Sequence, residues 1–167
     1  FGENALSVVL EYKCEKYVDY LPRIGLETSL DKSFERVSYY GFGPYESYID
    51  RRISCIKDVF VDTVSNMEVN YVKPQENGSH YGTNWLELSN GENSIRVEGD
   101  FSFSALPHGT KEYASALHDW ELPKRHSTHL CIDYFMAGVG SNSCGPALDN
   151  KWRTPIEGKG EFTILIK

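Results

Sequence analysis

Three carboxyl side chains are the residues of this sequence whose type best suits bond cleavage: Glu46, Asp50 and Glu76. A glycosidase flanks the scissile bond with two carboxyl groups, about 5 Å apart for retention of configuration and about 6.5–9.5 Å apart for inversion. Either Glu46 with Asp50 or Glu46 with Glu76 meets this requirement by residue type. Spacing along the chain favours neither pair.

The stretch that holds Glu46 and Asp50 also has the composition of a tight turn. Its other notable members are Gly41, Gly43, Pro44, Tyr48 and Arg51. Acids beside glycine and proline turns usually accept backbone N–H bonds or pair with a neighbouring arginine. We therefore expect Glu46 and Asp50 to anchor a turn.

Other polar clusters lack the pattern that their chemistry would require. Ser79 and His80 are neighbours in the polar stretch 74–82, whereas catalytic triads are assembled from distant segments. His118, His126 and His129 would need an unusual fold-back to share a metal, and on one strand His126 and His129 would face opposite sides. The glycine-rich stretch 138–146 has no GxxxxGK[ST] pattern, so it is interpreted as a polar turn.

The cysteines are widely spaced and contain no CxxC pair: Cys14, Cys55, Cys131 and Cys144. Zinc binding is therefore not expected, and free thiols in a reducing compartment are the prediction. The Asn77-Gly78-Ser79 sequon is interpreted as a chance match.

Composition limits the class of protein. The chain has 167 residues and a formal charge of −7, with 24 acidic against 17 basic residues. One domain spanning 1–167 is expected, and the negative charge disfavours a nucleic-acid or anionic-lipid partner. There is no apolar run of membrane-spanning length, so we expect a soluble protein. The absence of an initiator Met or signal peptide suggests that Phe1 follows a cut inside a longer chain.

Alternating apolar and polar residues predict an antiparallel β-sandwich of ten short strands. The predicted strands are 6–18, 24–30, 36–40, 56–64, 68–72, 84–88, 94–97, 100–105, 128–136 and 161–166. One short helix is predicted over 111–118, with Thr110 as its cap and Glu112 in its first turn.

Several stretches taken together resemble one known family. They comprise Arg23-Ile24-Gly25-Leu26, Gly41-Phe42-Gly43-Pro44 with Glu46, Tyr48, Asp50 and Arg51, Pro74 with Glu76-Asn77-Gly78 and Gly82, Glu121-Leu122-Pro123, Ile132-Asp133-Tyr134, and Gly138-Val139-Gly140. In order and type they are similar to the C-terminal domain of β-galactosidases of glycoside hydrolase family 2. The blocks run from Arg23 to about Pro146, and only their combination is specific.

The resemblance implies a partial supersandwich similar to galactose mutarotase. It also implies that the catalytic glutamates lie on a TIM barrel outside this chain, so that no catalytic residue is expected here. The residues of the matching blocks, Glu46 and Glu76 included, are then structural. No cofactor is expected in this chain, and any Mg²⁺ or Na⁺ required by the parent enzyme would bind elsewhere. The expected partners are the barrel and a galactoside, within a cytoplasmic and oligomeric parent enzyme.

One residue of the chain is implied to touch the sugar. The best-known bacterial relative has a tryptophan of the sugar-binding wall just before a Leu-Asn-Ile-Asp stretch. Matching that stretch to residues 130–133 puts His129 at the tryptophan position. Imidazole offers less stacking area than indole but adds a hydrogen-bonding group. The alternative is that His129 is a solvent-facing strand residue.

Two other functions remain open from the sequence. A carbohydrate-binding module requires an aromatic platform on one sheet face. A mutarotase-like isomerase requires a base and an acid that converge in one cleft, for example a histidine and a glutamate.

Overall fold

The computed structural model describes residues 5–14, 18–140 and 146–166, which contain eight β-strands and two short α-helices. The strands are β1 (Ala5–Lys13), β2 (Arg23–Asp31), β3 (Arg36–Gly43), β4 (Ile56–Thr63), β5 (His80–Ser89), β6 (Ser94–Leu106), β7 (Ser127–Met136) and β8 (Glu157–Ile166). The α-helices are α1 (Val64–Met67) and α2 (Thr110–Ser115), and 3-10 turns cover Asp119–Glu121 and Asn150–Trp152.

All strand pairs are antiparallel, and the sheet branches at β6. The main path runs β1-β8-β6-β5-β3-β4, and β7 pairs with both β6 and β2. One edge of β6 pairs along its length with β5, whereas its other edge pairs with β8 through Ile95–Gly99 and with β7 through Ser102–Leu106. This single long strand therefore joins two sets of strands into one unclosed sheet, consistent with a β-sandwich.

The hydrophobic core is built from one face of these strands. In β6 the residues with odd numbers from Val97 to Ala105 point toward the core, apart from Gly99, because successive side chains of a strand alternate between faces. The buried apolar members are Val37, Tyr39, Val64, Met67, Leu86, Leu88, Val97, Phe101, Phe103, Ala105, Leu130, Ile132 and Phe162. The other face of β6 and β7 is left for polar side chains.

The prediction of an all-β antiparallel fold is confirmed, but the number of strands was wrong. The predicted strands 94–97 and 100–105 form the single strand β6, which passes through Gly99 without a turn. The predicted strand 68–72 is absent. The segment pairs with none of the described strands, and the Val69 N–H instead donates to Asn77 Oδ1 at 3.3 Å.

The predicted short helix is present as α2, but the described residues contain a second one. Helix α1 follows β4 and is capped by Thr63, whose side chain accepts a hydrogen bond from the Asn66 N–H at 3.2 Å. Helix α2 is shorter than the predicted 111–118, and its N-cap is Gly109 in place of Thr110. Glu112 does lie in its first turn, as predicted, and accepts from the Gly109 N–H at 2.8 Å.

Some sequence-based predictions fall outside the described residues. They concern Phe1, the part of the first predicted strand at 15–17, and Ser141–Gly145 with Cys144. The first strand ends at Lys13 within the described residues, short of the predicted Val18.

None of the described helices is long and apolar enough to cross a membrane.

Candidate functional site

Strand β7 presents a row of polar residues on the face opposite the core. His129, Cys131 and Asp133 alternate with Leu130 and Ile132, which pack in the core. The β6 residues that pair with this row are Leu106, Ser104 and Ser102, and the β2 residues are Ser29, Glu27 and Gly25. The period-two pattern of β7 thus places a histidine, a thiol and a carboxyl group side by side on one sheet face.

A cavity of about 260 Å³ lies over this row. Its floor includes His129 and Cys131, and one of its walls is the loop 75–77. Helix α2 covers the row and contributes Thr110, Tyr113 and Ala114. A concave site with a few convergent polar groups is the usual form of a small-molecule site.

Arg23 brings two distant carboxyl groups to the edge of the cavity. Its Nε donates to Asp133 Oδ1 at 3.0 Å, its Nη2 donates to Asp133 Oδ2, and its Nη1 donates to Glu76 Oε2 at 3.1 Å. The side chain of Asp133 is 3% exposed, whereas that of Glu76 is 34% exposed. Burial raises the pKa of both carboxyl groups and the Arg23 guanidinium opposes that shift, so the arginine keeps a buried acid paired.

His129 is enclosed between β7 and helix α2 and is not the solvent-facing residue of the alternative interpretation. Its side chain is 18% exposed. The Nε2 atom lies 2.9 Å from Ser127 Oγ and 3.7 Å from Glu112 Oε2. Glu112 also accepts from the Gly109 N–H, so the start of α2 holds the imidazole in place.

A second histidine, His108, fixes α2 over the cavity. Its Nδ1 lies 3.0 Å from Glu68 Oε1, and its Nε2 lies 2.9 Å from the carbonyl oxygen of Pro123. Tyr113 donates to the same Glu68 oxygen at 2.7 Å, and Thr110 Oγ1 donates to Glu27 at 3.0 Å. These contacts connect α2 to two loops and to β2.

The isomerase alternative gains a contact between a histidine and a glutamate, but this pair does not offer a free acid and base. The structure brings His108 to Glu68, a pair that the sequence did not reveal. Both ring nitrogens of His108 are engaged, and the contacted Glu68 oxygen also accepts from Tyr113. Proton exchange with a sugar requires a group within hydrogen-bonding reach of it, which these bonds obstruct.

Glu46 lies in the corner that follows β3 and is saturated with hydrogen bonds. Oε1 accepts from Arg51 and from the Tyr71 hydroxyl, and Oε2 accepts from the Tyr48 hydroxyl at 3.1 Å and from the Gly78 N–H at 2.9 Å. Its side chain is 9% exposed. Burial raises the pKa of the Tyr48 hydroxyl, which suits a donor to a carboxylate.

Asp50 connects this corner to the loop after β7. It accepts from the Val139 N–H at 3.1 Å and from the Gly140 N–H at 2.8 Å. Asp50 accepts from different groups than Glu46 and Glu76 do. Among the described residues, no two of these three acids share a hydrogen-bond donor.

The loop 74–78 joins the corner to the cavity. Asn77 is 2% exposed, accepts from the Val69 N–H and donates to the Gln75 carbonyl at 2.9 Å. A buried, engaged amide fits the interpretation of its sequon as a chance match. Gly78 has φ of +65°, a left-handed conformation that glycine adopts without strain, and its N–H is the one that reaches Glu46.

The structure also bears on the predictions made for the remaining histidines and for the cysteines. The rings of His126 and His129 lie 6.2 Å apart, so the expectation that they face opposite sides was wrong: β7 begins at Ser127, and strand alternation does not extend to His126. Cys14, Cys55 and Cys131 are free thiols, and burial raises the pKa of Cys131 to about 11. Within the described residues, no three His, Cys, Asp or Glu side chains are grouped to hold a metal.

An aromatic row does occur on one sheet face, as a carbohydrate-binding module requires. Trp85 of β5 pairs with Tyr40 of β3 on the face away from the core. However, the Arg96 guanidinium stacks on Trp85 at 4.4 Å and the Lys57 ammonium lies 5.5 Å from the Tyr40 ring. Cation–π contacts therefore occupy the surfaces on which a sugar would stack.

Sequence reasoning named His129 and Glu76 but missed most of the cavity. Arg23 and Asp133 appeared only as members of matching blocks, and His108, Glu112 and Tyr113 carried no assigned role. A usable signal was present for Asp133, because an acid between the buried residues of a predicted strand needs a partner. Its partner, 110 residues away, had no local signal.

The geometry defines a class of protein: an antiparallel β-domain with a cavity on the non-core face of its sheet. A family model described as β-galactosidase small chain matches residues 2–166. The chain therefore belongs to the β-galactosidase small chain family.

Similar proteins extend well beyond this chain. It is 39% identical to a β-galactosidase of Staphylococcus xylosus over 152 residues, which cover 90% of this chain and 15% of that protein. It is 38% identical to a β-galactosidase of Actinobacillus pleuropneumoniae over 153 residues, 92% of this chain and 15% of that protein. The chain thus spans about 15% of the length of these curated relatives, and it corresponds to a fragment or domain of a β-galactosidase.

Proposed function

We propose that this chain is the non-catalytic, C-terminal part of a glycoside hydrolase family 2 β-galactosidase. The complete enzyme would hydrolyse terminal β-galactosides such as lactose with retention of configuration. Its catalytic glutamates and any Mg²⁺ or Na⁺ sites would lie on the TIM barrel and elsewhere in the larger chain. The fold would be the later part of a supersandwich similar to galactose mutarotase, in a cytoplasmic, oligomeric enzyme.

Two of the acids singled out from the sequence, Glu46 and Asp50, support a non-catalytic role. Glu46 has both oxygens occupied by donors, and Asp50 is bound to two backbone N–H groups. A retaining glycosidase needs one carboxyl group free to attack and another free to deliver a proton. We therefore expect the isolated chain to hydrolyse no chromogenic β-galactoside, and turnover by the purified chain would contradict the proposal.

The position of His129 is the observation that carries the proposal. The residue that the family resemblance places in the sugar wall does line a cavity, with its ring fixed between Ser127 and Glu112. A fixed imidazole offers a hydrogen bond to a sugar hydroxyl at little entropic cost. We propose that the barrel closes over this cavity and that His129 contacts the bound galactoside.

A substitution of His129 in the complete enzyme tests this role. His129→Ala is expected to raise the KM for a β-galactoside roughly five- to tenfold, as expected for the loss of about one hydrogen bond. His129→Trp, which introduces the residue that the family resemblance places at this position, is expected to retain binding through stacking. His118→Ala is the control, because the His118 side chain is 45% exposed and does not line the cavity. An unchanged KM in His129→Ala would contradict the proposed contact.

A further inference from the structure

The charges around the cavity exclude some ligands. Arg23 is the arginine that lines it, and that cation is already shared between Asp133 and Glu76. Glu27 and Glu112 lie at the rim, beside Thr110 and His129. With more carboxylates than guanidinium groups, the cavity repels anions such as phosphate or a sugar acid.

Unused hydrogen-bonding capacity is concentrated on the Arg23 and Glu76 side chains. Arg23 uses three of its five N–H groups, one on Glu76 and two on Asp133. Glu76 accepts with Oε2, and no donor among the described residues reaches its Oε1. A donor and an acceptor therefore stand next to each other, since Arg23 Nη1 lies 3.1 Å from Glu76 Oε2.

The nearby polar groups have less to offer. Asn77 uses its oxygen on the Val69 N–H and one of its two amide N–H groups on the Gln75 carbonyl. The Tyr113 hydroxyl donates to Glu68, and the Thr110 hydroxyl donates to Glu27. The Arg23–Glu76 pair is thus a charged feature of the cavity with a donor and an acceptor available together.

The chemistry that fits such a pair is two hydroxyl groups on adjacent carbon atoms. One hydroxyl accepts from the guanidinium while its neighbour donates to the carboxylate, and both remain neutral. A monovalent ion would leave one member of the pair without a partner. A single hydroxyl could bridge both members, but a vicinal diol gives each member its own hydroxyl.

We infer that Arg23 and Glu76 recognise a vicinal diol of the sugar that occupies the cavity. The two side chains would act as specificity-determining residues beside His129, which contacts another part of the same sugar. Asp133 would act as a positioning residue, because its two bonds to Arg23 fix the guanidinium plane. This inference rests on the proposed function, since it assumes that the cavity receives the galactoside.

The test compares two inhibitors of the complete enzyme, methyl β-galactopyranoside and its 3-deoxy analogue. Removal of the 3-hydroxyl abolishes both vicinal diols of the ring, at carbons 2 and 3 and at carbons 3 and 4. In the unmodified enzyme the 3-deoxy analogue should bind at least tenfold more weakly, as expected for an unpaired buried polar group. Glu76→Gln and Arg23→Lys should each reduce that ratio at least threefold, because the pair no longer distinguishes the two ligands.

Glu87→Gln is the matched control. Glu87 is also 34% exposed and lies 3.8 Å from an arginine, Arg96, but it does not line the cavity. This variant should keep the ratio of the unmodified enzyme. Thermal unfolding of each variant checks that the enzyme is folded.

The outcomes separate the inference from the proposed function. If the ratio is the same in Glu76→Gln, Glu87→Gln and the unmodified enzyme, the inference is overturned while a role of His129 still stands. If His129→Ala leaves binding unchanged but Glu76→Gln lowers the ratio, the contact of His129 fails and the diol site survives. If no variant of His129, Arg23 or Glu76 changes binding of either ligand, both are overturned.

Discussion

Glu46 and Glu76 are both glutamates beside an arginine, yet their surroundings differ. Glu46 receives four donors on two oxygens and is 9% exposed. Glu76 receives one donor, Arg23, and faces a cavity with its second oxygen unused. Residue type and sequence context therefore do not separate an anchoring carboxylate from one with an unfilled oxygen at a cavity, whereas the count of filled hydrogen-bonding positions does.

Arg23→Met should have the largest effect on stability, because it removes the cation from the cavity edge. It leaves Asp133, 3% exposed, without its ion-pair partner. Loss of one member of a buried pair costs about 3–5 kcal/mol in the free energy of unfolding. Denaturant titration of the variant measures this loss. Arg96→Met, at a partly exposed pair, is the control and should lose only about 1 kcal/mol; equal losses would show that Asp133 does not depend on Arg23.

His80 is a buried titratable group that, unlike the two glutamates, is most stable in its neutral form. Burial lowers its pKa to about 4, while it would titrate near 6.5 in the unfolded chain. The folded state therefore binds fewer protons in this range, so the contribution of His80 is intact above about pH 6.5 and falls as the pH drops toward 4. The expected loss is about 3 kcal/mol across that range.

Thermal or denaturant unfolding at several pH values measures the effect of His80. His80→Asn keeps a donor for the Gly78 carbonyl, which lies 3.1 Å from His80 Nδ1, and should lose less stability on acidification. His118→Asn is the control at an exposed histidine. If acidification destabilises His80→Asn as much as the unmodified protein, other groups dominate the pH dependence.

Glu46→Gln should destabilise the domain by about 1–3 kcal/mol. The amide nitrogen of glutamine would face donors such as Arg51, Tyr71 or the Gly78 N–H, which leaves a donor in this part-buried corner unsatisfied. The free energy of unfolding measures this loss, and kcat of the complete enzyme should fall only as far as stability or docking does. A variant with full stability and no turnover would contradict the anchoring role.

Glu76→Gln should have the smallest effect on stability, within about 1 kcal/mol of the unmodified chain. Glu76 has one ionic contact and a third of its side chain exposed, and Gln still accepts from Arg23. Parallel denaturation of Glu46→Gln and Glu76→Gln gives the direct comparison. A larger loss in Glu76→Gln would reverse the roles assigned to the two glutamates.

Much of the fold was predictable because the alternation of apolar and polar residues along a strand is a local property of the sequence. The pattern around Leu130 and Ile132 predicted β7 and its two faces, and the structure confirms a strand over Ser127–Met136. The errors in the strand prediction arose because a local pattern does not show which segments pair in the folded chain. The segment 68–72 alternates like a strand but finds no partner, and Gly99 resembles a turn although β6 passes through it.

The candidate site was less predictable than the fold. His129 and Glu76 were named through family resemblance, but the His108 contact with Glu68 spans 40 residues and the Arg23 contact with Asp133 spans 110. No spacing rule of a helix or strand reaches that far. Only the pairing of β2 with β7 and the packing of α2 bring these groups together.

The sequence by itself determined the antiparallel β-class, the faces of its strands and the blocks that mark its family, because each depends on residue order or short-range period. The tertiary structure decided which acids are saturated and which face a cavity. That distinction depends on donors supplied by distant segments: Tyr71 and Gly78 fill the oxygens of Glu46, while Glu76 meets only Arg23 among the described residues. The groups available to a ligand are therefore those with unfilled hydrogen-bonding positions, and these are defined only once the chain is folded.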